Sequence, residues 1–142
     1  MATLKLEIIT PDAKVYDGEA DFVELPGAEG DMGVFPQHEA LVTELKAGEL
    51  RITRKGVVEV LAIGEGFAEI TATSIGILTD GAVNEKDIDE KVAEEAVKRA
   101  EELLKSSTLQ GEELEATQAS LARSLAQLRV KRRRGGSQGD RV

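Results

Sequence analysis

The sequence predicts a β + α protein: an N-terminal antiparallel β-sandwich over residues 1–84, then a C-terminal antiparallel αα-hairpin over residues 85–134, with a tail at 135–142. Three observations carry this prediction. Up to about Thr79 the apolar residues recur with a period near two, as half-buried strands require. Beyond Ala82 they recur at helical spacing. Turn-forming pairs punctuate the first part, as in a sandwich or barrel of short strands.

The elements follow in order. Leu4, Leu6 and Ile8 alternate with Lys5 and Glu7, and Val23 and Leu25 flank Glu24. Leu50 and Ile52 flank Arg51, Val58 and Val60 flank Glu59, Ile70 and Ala72 flank Thr71, and Ile75 and Ile77 flank Gly76. Between these segments stand Pro11-Asp12, Asp17-Gly18, Pro26-Gly27, Ala47-Gly48, Lys55-Gly56 and Asp80-Gly81, all pairs with turn chemistry. Ile88, Val92, Ala96, Val97, Ala100, Leu103 and Leu104 then mark one face of a first helix. Asp87 is its expected N-cap, with Glu90 at N3. Ser106–Gly111 interrupts the pattern, and Gly111 is the expected stop. Leu114, Leu121, Leu125 and Leu128 give the seam of a second helix. Two helices of roughly 18 residues joined by a short loop make a hairpin. Each is rich in Ala on its apolar side, and an Ala methyl contributes under about 1 kcal/mol, so the hairpin is only marginally stable by itself. Residues 135–142 lack any pattern and are expected to be disordered.

Composition excludes several function classes. There is no Cys, so zinc-thiolate sites, disulfides and cysteine nucleophiles are impossible. A single His excludes a multi-histidine metal site. No apolar run reaches the roughly 20 residues needed to span a bilayer, and Lys5, Glu7 and Asp12 interrupt any secretory signal, so a soluble, cytoplasmic protein is expected. The net charge of −9 hides an asymmetry. Residues 1–121 carry 11 basic and 26 acidic groups, a balance of −15; residues 122–142 carry seven basic and one acidic, a balance of +6. Arg123, Arg129, Lys131, Arg132, Arg133 and Arg134 supply most of that basic end. An interaction tail fits this switch of sign. Nucleic acid is a poor target, because no aromatic is interleaved and the acidic body repels phosphate. An acidic protein surface fits better.

Candidate chemical motifs fail on inspection. His38-Glu39 would need a second His at the position of Val42 to bind zinc. Gly27, Gly30 and Gly33 lack the dinucleotide spacing, and Gly64-Glu65-Gly66 has Glu69 where a third Gly belongs. Asp87, Asp89 and Glu90 would need a loop glycine at Val92 to hold calcium, so an acidic helix start is the default. No catalytic residue and no metal site is expected.

The chain resembles the epsilon subunit of bacterial F-type ATP synthase from about Leu4 to Val130. The markers are Ile9-Thr10-Pro11, the stretch Pro26 to Pro36 with His38, Leu45 to Leu50, Ile77 to Asp80, Asp87 to Glu90, and Ala126 to Val130. Their order and spacing make the resemblance specific. It implies a non-catalytic rotor subunit that couples proton-driven rotation of the c ring to ATP synthesis. The sandwich would bind the gamma subunit and the c ring, with Glu29, Gly30, Asp31, Met32, Gly33 and His38 as contact residues. The hairpin would extend along gamma and inhibit ATP hydrolysis, with Arg123, Arg129, Lys131, Arg132, Arg133 and Arg134 meeting an acidic segment of the beta subunit, beside alpha. The implied location is the cytoplasmic face of the bacterial plasma membrane, reached only through the complex.

The sequence departs from the family pattern in places. Some members bind ATP through Ile/Leu-Asp-x-x-Arg-Ala, which reads Ile88-Asp89-Glu90-Lys91-Val92-Ala93 here. Asp89 and Arg99 match positions of that weak ATP site, but Val92 removes its phosphate-facing cation, so no cofactor is expected. The family's Gly-His-Ala-Pro reads Gln37-His38-Glu39-Ala40. From a different class, a free-standing module binding an anionic membrane surface through its basic end is the competing expectation.

Overall fold

The computed structural model describes residues 2–106 and 108–139, with side chains to Arg133. Ten strands precede the helices: β1 (Leu4–Ile9), β2 (Lys14–Ala20), β3 (Phe22–Gly27), β4 (Gly30–Val34), β5 (Leu41–Leu45), β6 (Gly48–Arg54), β7 (Val57–Ile63), β8 (Gly66–Ile70), β9 (Ser74–Thr79) and β10 (Ala82–Asn84). A 3-10 turn (Glu85–Asp87) leads to helices α1 (Glu90–Ser106) and α2 (Gly111–Gly139). The strands run β10-β7-β6-β3-β5-β8-β9-β1-β2, with β4 on β3. A single residue pair, Gly27 with Leu45, joins β3 to β5, and there the sheet folds over into two layers. The expected antiparallel pairing holds for every ladder but one. β1 and β9 run parallel, which is possible because the intervening chain is long enough for a crossover.

The core lies between the layers. Leu4, Leu6 and Ile8 of β1 meet Val23, Leu25, Leu50, Ile52, Ile70, Ile75 and Ile77 there, all essentially without solvent exposure. These are the inward positions of the alternating pattern. Ala72 is not among them: it sits exposed in the β8–β9 turn, because β8 ends at Ile70. β7 is also not half-buried as predicted. Leu61 and Ile63 enter the sandwich core, while Val60 and Ala62 face the other way and pack with Ile88 and Val130. The helical hairpin covers the outer face of this strand, and Val58 lies outside the cover.

The helix starts differ from expectation too. The N-cap of α1 is Asp89, not Asp87, and its Oδ1 accepts from Val92 N at 3.2 Å. Asp87 belongs to the 3-10 turn, itself capped by Asn84. Gly111 opens α2 with φ 59° and does not close α1, which has already ended at Ser106. Glycine adopts that left-handed conformation without a Cβ clash, so it can redirect the chain. The buried face of α1 is Ala93, Val97 and Ala100, and Val92 is 60% exposed.

In α2 the Leu seam is replaced by two opposed faces. Leu128 packs with Ala93, Val97 and Leu121 of the hairpin, while Val130 packs on the sheet. Two residues turn a helix by about 200°, so positions two apart face opposite sides. A helix wedged between another helix and a sheet has no single apolar stripe, and Leu125 is left 38% exposed. The bounds of α2 reach Gly139, and the tail expected at 135–142 lies outside the residues described with their side chains.

Candidate functional site

The β3–β4 hairpin presents the first set of candidate residues. Gly27 pairs with Gly30 across the two-residue turn Ala28–Glu29. A Cβ on Gly27 would sit 2.6 Å from the Gly30 carbonyl, and Gly30 itself has φ 140°, so the turn needs both glycines. Ala28 N donates to Glu44 O at 2.9 Å, which ties the tip to β5. Glu29, Gly30 and Asp31 are exposed there, a protruding tip with two carboxylates. Met32 turns back to pack on the core. Gly33 makes room for the Phe22 ring, which a Cβ would approach to 2.7 Å, and that ring stacks on Phe35 with centroids 4.2 Å apart.

His38 is not at this tip. It lies beyond the other end of β4, about 13 Å along the strand at ~3.3 Å per residue. Its Nδ1 is 2.8 Å from the Glu39 carbonyl. The loop is pinned where Gln37 N donates to Ala72 O at 2.7 Å.

The basic residues of α2 fold back onto the acidic body. Arg123 Nη1 meets Asp80 Oδ2 at 3.0 Å. Lys131 Nζ donates to the Glu85 carbonyl at 3.4 Å. Arg132 pairs with Glu94 and Glu90 of α1, and Arg133 pairs with Glu49 of β6 at 3.2 Å. Arg129 is exposed and lines a cleft of about 390 Å³ between α2 and the sandwich, together with Asp31, Lys46, Glu49 and Arg51. This cleft brings one residue of the β3–β4 tip beside the basic face of α2. The Arg134 side chain lies outside the described part. The charge asymmetry of the sequence is therefore matched inside one molecule. Such pairs, half in water, contribute only about 0–1 kcal/mol each and weaken with salt.

The nucleotide-motif residues do not converge. Asp89 is occupied as a cap, and Arg99 is exposed ten residues on, about 15 Å along α1 and on another face. Among the described residues no group of three or more His, Asp or Glu side chains is placed to hold a metal. No helix among them is long and apolar enough to cross a membrane.

One surface was not expected. Ile9, Leu78 and Phe67 stand side by side on adjacent strands, since Leu78 pairs with both Ile9 and Phe67. All three point away from the core, Leu78 58% and Phe67 53% exposed, with Val42 of β5 nearby at 67%. They border a groove of about 490 Å³ whose floor includes Gly76, where the space above is open. The signal was present in the sequence: these outward positions hold apolar residues where a solvated face would hold polar ones.

The described residues thus form a β-sandwich with an exposed polar tip and an exposed apolar face, and a helical hairpin docked on it. A family model described as ATP synthase, Delta/Epsilon chain, beta-sandwich domain matches residues 3–85, and one described as ATP synthase, Delta/Epsilon chain, long alpha-helix domain matches residues 86–132. The chain belongs to the ATP synthase delta/epsilon chain family, and it is a non-catalytic subunit of that complex. It is 41% identical over 139 residues to ATP synthase epsilon chain 2 of Ralstonia nicotianae, covering 94% of this chain and 99% of that one. It is 41% identical over 134 residues to the ATP synthase epsilon chain of Halorhodospira halophila, covering 92% and 93%. The fold is also that of a chain in the Euglena gracilis mitochondrial ATP synthase (OSCP/F1/c-ring, rotational state 1), with TM-score 0.70, 23% identity and coverage of 89% and 79%.

Proposed function

We propose that this subunit couples rotation of the c ring to the catalytic head and restrains ATP hydrolysis through its helical hairpin. The polar tip Glu29–Gly33 meets the polar loops of the c ring, with His38 contacting the rotor from the other end of β4. The outward face Ile9, Phe67, Leu78 and Val42 binds the gamma subunit, since an apolar patch of this kind fits a permanent protein partner. The hairpin leaves the sandwich and carries Arg123, Arg129, Lys131, Arg132, Arg133 and Arg134 to an acidic surface of the beta subunit beside alpha. One observation supports this reading above the others: two cations of α2, Arg123 and Arg133, are held by carboxylates of the sandwich through pairs weak enough to exchange.

The subunit works at the cytoplasmic face of the bacterial plasma membrane, held there by the complex. It requires no nucleotide: Val92 supplies no cation, and Asp89 and Arg99 are far apart. Truncation after Val83 tests the reading. The shortened subunit still joins the complex, and ATPase activity rises; undiminished inhibition by the truncated form overturns the regulatory assignment.

A further inference from the structure

Arg123 makes a more specific contact than its neighbours. Asp80 precedes β10, and its partner Arg123 lies 43 residues away on α2. The Arg123 stem runs across two glycines. A Cβ on Gly81 would lie 2.9 Å from Arg123 Cδ, and one on Gly64 would lie 2.8 Å from Arg123 Cγ and closer still to Asp80. Gly64 N donates to Gly81 O at 2.8 Å, and Thr79 Oγ1 donates to the carbonyls of Gly64 and Gly81, so this floor is hydrogen-bonded in place. The result is a shaped seat for one arginine, with a carboxylate at its end.

A second pin lies ten residues further along α2, about 15 Å away. There Arg133 meets Glu49, whose other oxygen, Oε1, is buried without a partner among the described residues. Between the two pins Val130 packs on Val60 and Ala62.

We infer that Asp80 and Glu49 form a two-point electrostatic latch for the hairpin, with Gly64 and Gly81 shaping the catch that receives Arg123. This inference rests on the inhibitory reading of the hairpin and adds its regulation. Arg123 and Arg133, two of the cations that would reach the catalytic head, are occupied while the latch is closed, so opening the latch is what makes these two available. Arg132 does not take part: it ties α2 to α1 and travels with the hairpin.

The absence of native cysteine makes the test clean. Cysteines introduced at Thr73 in the β8–β9 turn and Gln110 in the interhelical loop, both exposed, carry a donor and an acceptor dye on the full chain. Asp80→Asn raises the undocked fraction about two- to fivefold, seen as lost energy transfer, and Asp80→Asn with Glu49→Gln raises it further. Gly81→Ala keeps every charge but pushes Arg123 from its seat, and acts in the same direction. Arg123→Lys loses less than Arg123→Ala. Unchanged energy transfer in both Asp80→Asn and Gly81→Ala overturns the latch. In the reconstituted synthase the Asp80→Asn subunit inhibits hydrolysis more strongly than the unaltered one. Lost energy transfer without any change in ATPase activity leaves the latch standing and sinks the inhibitory reading instead.

Discussion

Truncating Val130 to Ala separates hairpin docking from sandwich folding. Val130 is 2% exposed and contributes to a small cluster with Val60, Ala62 and Ile88, apart from the main core. The substitution removes two methyl-sized groups, worth about 1.6 kcal/mol at ~0.8 kcal/mol each. A residual cavity adds to this, but α2 is a surface element free to settle, so about 2 kcal/mol is expected in all. That is roughly a 30-fold shift of the docking equilibrium. Energy transfer between labels on the sandwich and the hairpin tip reads the shift directly. Thermal unfolding of the sandwich should stay where it is, because its core does not include Val130. Leu125→Ala, at a half-exposed position on the same helix, is the control and should shift docking far less. Equal effects from the two substitutions would refute the argument that Val130 is the apolar anchor of the hairpin.

Three further outcomes follow from the same geometry. Gly33→Ala drives a Cβ into the Phe22 ring, so the β3–β4 hairpin should lose about 1–3 kcal/mol and the sandwich should melt several degrees lower by circular dichroism. Burial, and then the charge of Glu59, push the Tyr16 hydroxyl above its ordinary value near 10, with Arg54 opposing. The folded state therefore holds this proton more tightly than the unfolded one, and the linked stability, present below pH 10, is lost as pH rises through the folded value. With one Tyr and no Trp in the chain, absorbance near 295 nm should follow that ionisation alone, and a midpoint at or below 10 would contradict the burial argument. Reversing Arg132 and Arg133 to Glu removes two of the cations proposed to meet the acidic surface of the beta subunit, so even though the like charges set against Glu90, Glu94 and Glu49 loosen docking, inhibition of ATP hydrolysis should weaken and lose its dependence on salt in a reconstituted synthase.

The inward half of the sandwich was legible because alternation is a local property. Leu4, Leu6, Ile8, Leu50, Ile52, Ile75 and Ile77 each declare their face through their immediate neighbours. The outward apolar residues Ile9, Phe67 and Leu78 were harder to read. They become a surface only when β1, β9 and β8 lie side by side, and two of those strands are far apart in the chain. The same limit explains Val60 and Ala62, which look like surface positions until a helix nearly 70 residues away covers them. It also explains the two-sided burial of α2, whose Leu spacing points to one seam while its neighbours occupy two sides. The cap of α1 moved by two residues because three acidic residues compete for it, and only the backbone path decides among them.

By itself the sequence determined the two-part architecture, the strand faces, the helical hairpin and the concentration of positive charge at one end. These follow from periodicity and composition, which act over a few residues. The tertiary structure alone decided what that charge does. Arg123 reaches Asp80 across 43 residues, Arg132 reaches Glu94 across 38, and Arg133 reaches Glu49 across 84. Coulomb attraction depends on distance in space and not on distance along the chain, so only the folded molecule reveals which carboxylates hold the basic end.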